Sequence, residues 1–127
     1  MNKFLQQIEA FHIKYQLQYK DNPRFLPPEL AQFRAMFMEE ELEEYRQAET
    51  LEDKLDALID LVYVALGTAY LHGFDFEEGF NRVHSANMAK VRAEVADDSK
   101  RGTKFDVIKP AGWTPPDLSD LVHKETA

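Results

Sequence analysis

The sequence predicts an all-α protein, and three observations carry the prediction. Apolar residues recur at helical spacing in successive segments, proline and glycine fall mostly between those segments, and alternating strand-like runs are few. At 127 residues the chain can bury one core but not two. A single domain over 1–127 is therefore expected, with a helical bundle over 1–96 and an extended C-terminal arm over 97–127.

The first helix is predicted from Asn2 to about Tyr19, with Phe4, Ile8, Phe11 and Tyr15 on one stripe. DNPRFLPP breaks it, because two successive prolines cannot continue a helix. A second helix runs from Pro28, a residue suited to a first turn, to about Glu49. Thr50 with Asp53 signals the start of a third, and Gly73 its stop. Asp75 with Glu78 opens a fourth, expected from Phe76 to about Val95. Beyond Asp97 the chain turns polar and proline-rich, and KPAGWTPPDL reads as extended, with Trp113 expected to pin it to the bundle.

The third helix is apolar nearly all round, through Leu55, Leu58, Ile59, Leu61, Val62, Val64, Leu66 and Leu71. Such a helix is expected to be buried on several sides, and a bundle of four to five helices achieves this most easily by homo-oligomerisation. A homodimer or homotetramer is the expectation.

Composition narrows the function classes. With no cysteine, disulfides, thiolate zinc sites and a cysteine nucleophile are excluded, and a bound metal must use Asp, Glu, His or backbone oxygen. Neither a leader nor an apolar run near the ~20 residues of a membrane span is read in the sequence, so a cytoplasmic protein without a membrane partner is expected. The absence of a basic stripe disfavours nucleic acid.

Net charge is −8, and residues 39–60 carry all of it with ten acids against Arg46 and Lys54. Five of those acids crowd into FMEEELEEY at 37–45. Helical phase divides them. At ~100° per residue, Glu40, Glu41 and Glu44 share the arc of Phe33 and Phe37, where the helix packs, while Glu39 and Glu43 point towards solvent and Arg46. On the third helix Asp56 and Asp60 share a face with Tyr63 and Gly67. Ionised carboxylates in apolar surroundings are costly unless paired or bound to metal. Carboxylates converging from two helices without histidine suit a hard cation, Mg²⁺ or Mn²⁺.

The motifs EELEEY at 40–45, DALIDLVYVALGTAYLHGFDF at 56–76 and VHSANMAKV at 83–91, in that order, resemble the MazG-like and phosphoribosyl-ATP pyrophosphohydrolase-like superfamily of all-α nucleoside triphosphate pyrophosphohydrolases. FHIKYQL at 11–17 and the late KPAGWTPPDL extend the likeness over nearly the whole chain. The resemblance implies a MazG-like bundle and Mg²⁺-dependent hydrolysis of a nucleoside triphosphate, in which water attacks the α-phosphorus and releases pyrophosphate. It implies metal ligation by an EExxE, here Glu40, Glu41 and Glu44, and by an ExxD on the next helix. The second motif departs from the family, since Ala57 stands three before Asp60 and Asp56 is the neighbouring acid.

Glu41 or Glu44 is expected to act as general base. Asn87 and Lys90 are the expected phosphate or ribose contacts, with Lys104 a further cation; His12 and Tyr63 are candidates against a base, each weighed against an ordinary place in the core. Alternatives are phosphoribosyl-ATP as the substrate and a non-enzymatic helical oligomerisation or regulatory module. A di-iron bundle needs two Glu-x-x-His pairs, and Glu9 with His12 supplies one.

Overall fold

The computed structural model describes residues 2–17 and 22–122 and is mostly helical. The chain divides into two compact units, Met1–Glu77 with Leu121–Ala127, and Glu78–Asp120.

The first unit is built on three helices, α1 (Lys3–Lys14), α2 (Pro28–Gln47) and α3 (Leu51–His72). Each begins on a local device. Asn2 accepts the Leu5 N–H at 2.9 Å ahead of α1, Pro28 occupies the first position of α2, and Thr50 Oγ1 accepts the Asp53 N–H at 3.1 Å ahead of α3. α3 stops where expected. Gly73 takes φ 77°, the left-handed geometry that frees its N–H for the Ala69 and Tyr70 carbonyls.

α1 ends earlier than its apolar pattern suggests. Gln16 adopts φ 59°, and the Leu17 N–H turns back to the His12 carbonyl at 2.8 Å, so the last turn closes on itself. The predicted continuation over 18 and 19 lies outside the described residues. Of the expected stripe only Ile8 is buried with His12, whereas Phe4, Phe11 and Tyr15 are exposed.

α2 packs along most of α3, and α1 lies against α3. The segment before α2 is anchored to the end of α3, where the Arg24 N–H donates to the His72 carbonyl at 3.0 Å and His72 Nδ1 meets the Arg24 carbonyl at 2.7 Å. α3 is only partly covered: Ala57, Val64, Leu66, Gly67, Ala69 and Leu71 are buried, but Leu51, Leu55, Leu58, Ile59 and Val62 face outwards. Burial on several sides is thus not achieved within one chain. By length and composition α3 is also apolar enough to cross a membrane, a feature that the reading of short apolar runs missed.

The second unit contains most of α4 (Phe76–Met88), followed by β1 (Val91–Arg92), a 3₁₀ turn at Ala96–Asp98 and β2 (Val107–Ile108). The helix expected to reach Val95 ends at Met88. The residues beyond it pair antiparallel with β2, Val91 opposite Ile108 and Arg92 opposite Val107, and this ladder is invisible to a local helical pattern. Trp113 Nε1 donates to the Ala86 carbonyl at 2.7 Å, satisfying a backbone acceptor in the last turn of α4. The helical turn Ser119–Val122 (α5) closes the described chain.

Candidate metal and active site

Packing of α2 against α3 brings Glu41, Glu44 and Asp60 together. Glu41 and Glu44 lie one turn apart on α2, Asp60 faces them from α3, and one carboxylate oxygen from each falls within 4.8 Å of the others. Glu41 is 8% exposed, and among the described residues its Oε2 has no hydrogen-bond partner.

Charges of one sign dominate the site. Burial first, then Glu44, Asp60 and Glu40, push the Glu41 carboxyl up to about 7. Asp60 is raised by burial, then by Asp56 and Glu44. The cations nearest in sequence are engaged elsewhere: Arg46 pairs with Glu43 at 3.4 Å, and Lys54 Nζ donates to the Tyr45 carbonyl at 2.6 Å and lies 4.4 Å from the Tyr45 ring centroid. Among the described residues no lysine or arginine pairs with any of the three acids.

The expected ligand set therefore separates by depth. Glu41 is buried, Asp60 is half-buried and Glu44 is exposed at the rim. Glu40 and Asp56 are exposed and act on the cluster through their charge. Ala57, three residues before Asp60, is 3% exposed. Glu43, read as solvated, is indeed on the surface, accepting from Gln47 at 2.9 Å.

Two turns before Glu41, on the same face of α2, lies a cation that sequence reasoning missed. Arg34 is 8% exposed and donates from Nε to Thr68 Oγ1 at 3.0 Å and from Nη2 to the Val64 carbonyl at 2.9 Å. Its spacing of seven residues from Glu41, on the packing side of the helix, was the available signal. His12 meets it across α3. Its Nδ1 donates to the Ile8 carbonyl at 2.9 Å, which leaves the neutral Nε2 an acceptor with no donor among the described residues. Burial and the Arg34 charge hold the imidazole below its ordinary pKa. Gly67 makes the approach possible, since a Cβ there would come within 2.8 Å of Arg34 Nη2 and 2.9 Å of His12 Cε1.

The other expected contact residues are placed as follows. His12 is 2% exposed inside the α1–α3 packing, so its position is that of a buried core histidine. Tyr63 stands edge-on to Phe11 with ring centroids 5.4 Å apart. Asn87, Lys90 and Lys104 belong to the second unit. There Asn87 and Lys104 are exposed, and Lys90 Nζ lies 5.2 Å from the Trp113 ring centroid.

All three converging donors are carboxylate oxygens, and the partnerless Oε2 of Glu41 is an acceptor in want of positive charge. These residues fit a hard divalent cation. A helical fold with such a cluster between adjacent helices defines the MazG-like class of all-α nucleoside triphosphate pyrophosphohydrolases. Within that class the chain belongs to the phosphoribosyl-ATP pyrophosphohydrolase family, whose profile matches residues 8–87. The matched span holds all five acids, Arg34, His12 and Asn87, and stops short of Lys90 and Lys104. No curated protein matches the sequence.

Proposed function

We propose that the chain is a Mg²⁺-dependent (d)NTP pyrophosphohydrolase acting on the cytoplasmic nucleotide pool, with Mn²⁺ as the alternative cation. The observation that carries the proposal is the convergence of Glu41, Glu44 and Asp60 within 4.8 Å, where among the described residues no lysine or arginine pairs with them. In the reaction a water oxygen bonds to the α-phosphorus, the bond from that phosphorus to the bridging oxygen breaks, and nucleoside monophosphate and pyrophosphate leave.

Glu41, Glu44 and Asp60 would hold the cation, with Glu40 and Asp56 adding charge at the rim. When bound, Mg²⁺ supplies neutralisation of the triphosphate oxygens and eases the deprotonation of water. The chain's own task is positioning and proton transfer. Glu41 or Glu44 accepts the proton of the attacking water. Packing of α2 on α3 fixes the two carboxylate sources relative to each other, so no side chain must be recruited during the reaction.

A second reading, hydrolysis of phosphoribosyl-ATP, is supported by the family description. It uses the same bond cleavage and differs in the base-side substituent. The test is pyrophosphate release from a panel of (d)NTPs and phosphoribosyl-ATP with Mg²⁺, beside Glu41→Gln and Asp60→Asn. Turnover of (d)NTPs that both variants abolish is expected. Turnover of phosphoribosyl-ATP alone selects the second reading, and no turnover of any substrate, with melting unmoved by Mg²⁺, leaves a non-enzymatic helical module.

A further inference from the structure

Packing of α2 on α3 leaves a question of register. Apolar contact is non-directional, so a slide of one helical turn, ~5.4 Å, moves side-chain ridges from one groove into the next at modest cost. Such a slide would set Glu41 and Glu44 beside Asp56 or Val64, each one turn from Asp60 along α3. The acids cannot hold the register themselves, because three carboxylates within 4.8 Å repel one another.

Directional bonds can hold it. Arg34 reaches from α2 to α3 with two donors, Nε to Thr68 Oγ1 at 3.0 Å and Nη2 to the Val64 carbonyl at 2.9 Å. Thr68 Oγ1 donates in turn to that same carbonyl at 2.8 Å, so its own orientation is fixed. On α2 the Phe37 ring lies beside the guanidinium, its centroid 5.6 Å from Cζ, and on α3 the bare backbone of Gly67 receives Nη2 where a Cβ would stand at 2.8 Å. Among the described residues no acid pairs with Arg34, so its buried charge is met by neutral acceptors alone. A buried charge so placed adds little stability, and the best-attested use of such groups is to fix register.

We propose that Arg34 is a positioning residue for the carboxylate cluster, locking α2 at the register where Glu41 and Glu44 meet Asp60. The inference rests on the cation site of the proposed function and adds a residue that does not touch it. Seven residues separate Arg34 from Glu41, which is about 10.5 Å of helix and beyond contact with a cation held there. Charge and position therefore act with opposite sign. A distant positive charge repels a bound cation, so removing it for its charge alone tightens cation binding, whereas removing a register lock weakens it.

Mn²⁺ binding to the full chain without nucleotide, read from the electron-paramagnetic-resonance signal of the free ion, tests the proposal beside (d)NTP turnover. Arg34→Met keeps an apolar stem and loses both bonds. It is expected to raise the Mn²⁺ dissociation constant by about tenfold or more, and to lower kcat at saturating Mn²⁺ by a similar factor, while the far-ultraviolet dichroism stays helical. Arg34→Lys, which keeps the charge without the fork, and Thr68→Val, which removes the Nε acceptor, are expected between parent and Arg34→Met. Arg82→Met, which breaks the ion pairs to Glu78 and Asp120 in the second unit, is expected to leave Mn²⁺ affinity unchanged. A folded Arg34→Met with parental or tighter Mn²⁺ affinity overturns the proposal, as does an equal loss in Arg82→Met. Should Arg34→Met not fold, parental affinity in both Arg34→Lys and Thr68→Val overturns it. A parent chain that binds no Mn²⁺ removes the cation site and the proposal together. A parent that binds Mn²⁺ and turns over no triphosphate refutes the activity, and the expected loss of affinity in Arg34→Met then still supports the positioning role.

Discussion

The carboxylate cluster between α2 and α3 and the charged network of residues 78–120 treat charge in opposite ways. In the second, Glu78, Asp106 and Asp120 have cationic partners. Arg82 takes Glu78 at 3.0 Å and Asp120 at 2.6 Å, and Arg101 takes Asp106 at 2.8 Å. The hydroxyl of Ser99 and then the Arg101 guanidinium hold Asp106 at about 2, and Asp120 is lowered by Arg82. In the first, acids meet acids, and Glu41 and Asp60 are both raised. Charges that satisfy each other hold a loop segment in place. Charges that repel each other at a buried position cost stability and are retained where a ligand of opposite sign completes them.

The strongest way to break this comparison is Glu41→Gln. A loss of about a hundredfold or more in kcat/KM is expected, together with a higher melting temperature of the metal-free protein, because a neutral amide removes the unpaired buried charge. Both are read from a steady-state assay and a thermal melt, and a variant that loses activity and also melts lower would make Glu41 a structural residue. Mg²⁺ should raise the melting temperature of the parent and have little effect on the variant.

Next comes the three-helix junction that positions α2. Gly67→Ala is expected to destabilise by about 1–3 kcal/mol through overpacking against His12 and Arg34, measured by urea denaturation. Unchanged stability would mean that Arg34 swings aside at no cost.

The pH dependence separates the two regions by sign. Glu41 has its folded pKa near 7 against an ordinary 4.5, so the folded chain binds the extra proton between those values. The stability this contributes is complete below pH 4.5 and is lost as pH rises through 7. Asp106 works in reverse, with a contribution present above its ordinary 3.8 and lost as pH falls towards 2. Metal-free protein should therefore melt a few degrees higher near pH 5 than near pH 8, and Glu41→Gln should flatten that difference.

Smaller effects belong to the second region. Trp113→Phe removes the bond to the Ala86 carbonyl, with about 1 kcal/mol expected and faster hydrogen exchange confined to the end of α4 and residues 110–117. Asp120→Asn weakens an exposed ion pair and should cost less than about 1 kcal/mol, falling further with added salt.

Legibility in the sequence followed the range of the forces involved. The limits of α3 were readable because Thr50 and Gly73 act within one turn of their own backbone. Separating Glu41 from Glu39 and Glu43 needed only helical phase, but Glu40, assigned to the same arc, is exposed, since phase gives direction and not the distance to the neighbouring helix. The ends of α1 and α4 were overrun for a different reason: Gln16 and the Val91–Ile108 pair stop those helices against an apolar pattern that would have continued. Arg34 was missed because an arginine is ordinarily read as solvated.

The sequence by itself determined the helical class, the family and the concentration of −8 into residues 39–60, all of which depend on residue identity and local periodicity. Only the tertiary structure decided which acids converge. α2 must lie along α3 at one register for Glu41, Glu44 and Asp60 to meet, and that register is set by side chains far apart in sequence, among them Arg34 reaching Val64 and Thr68.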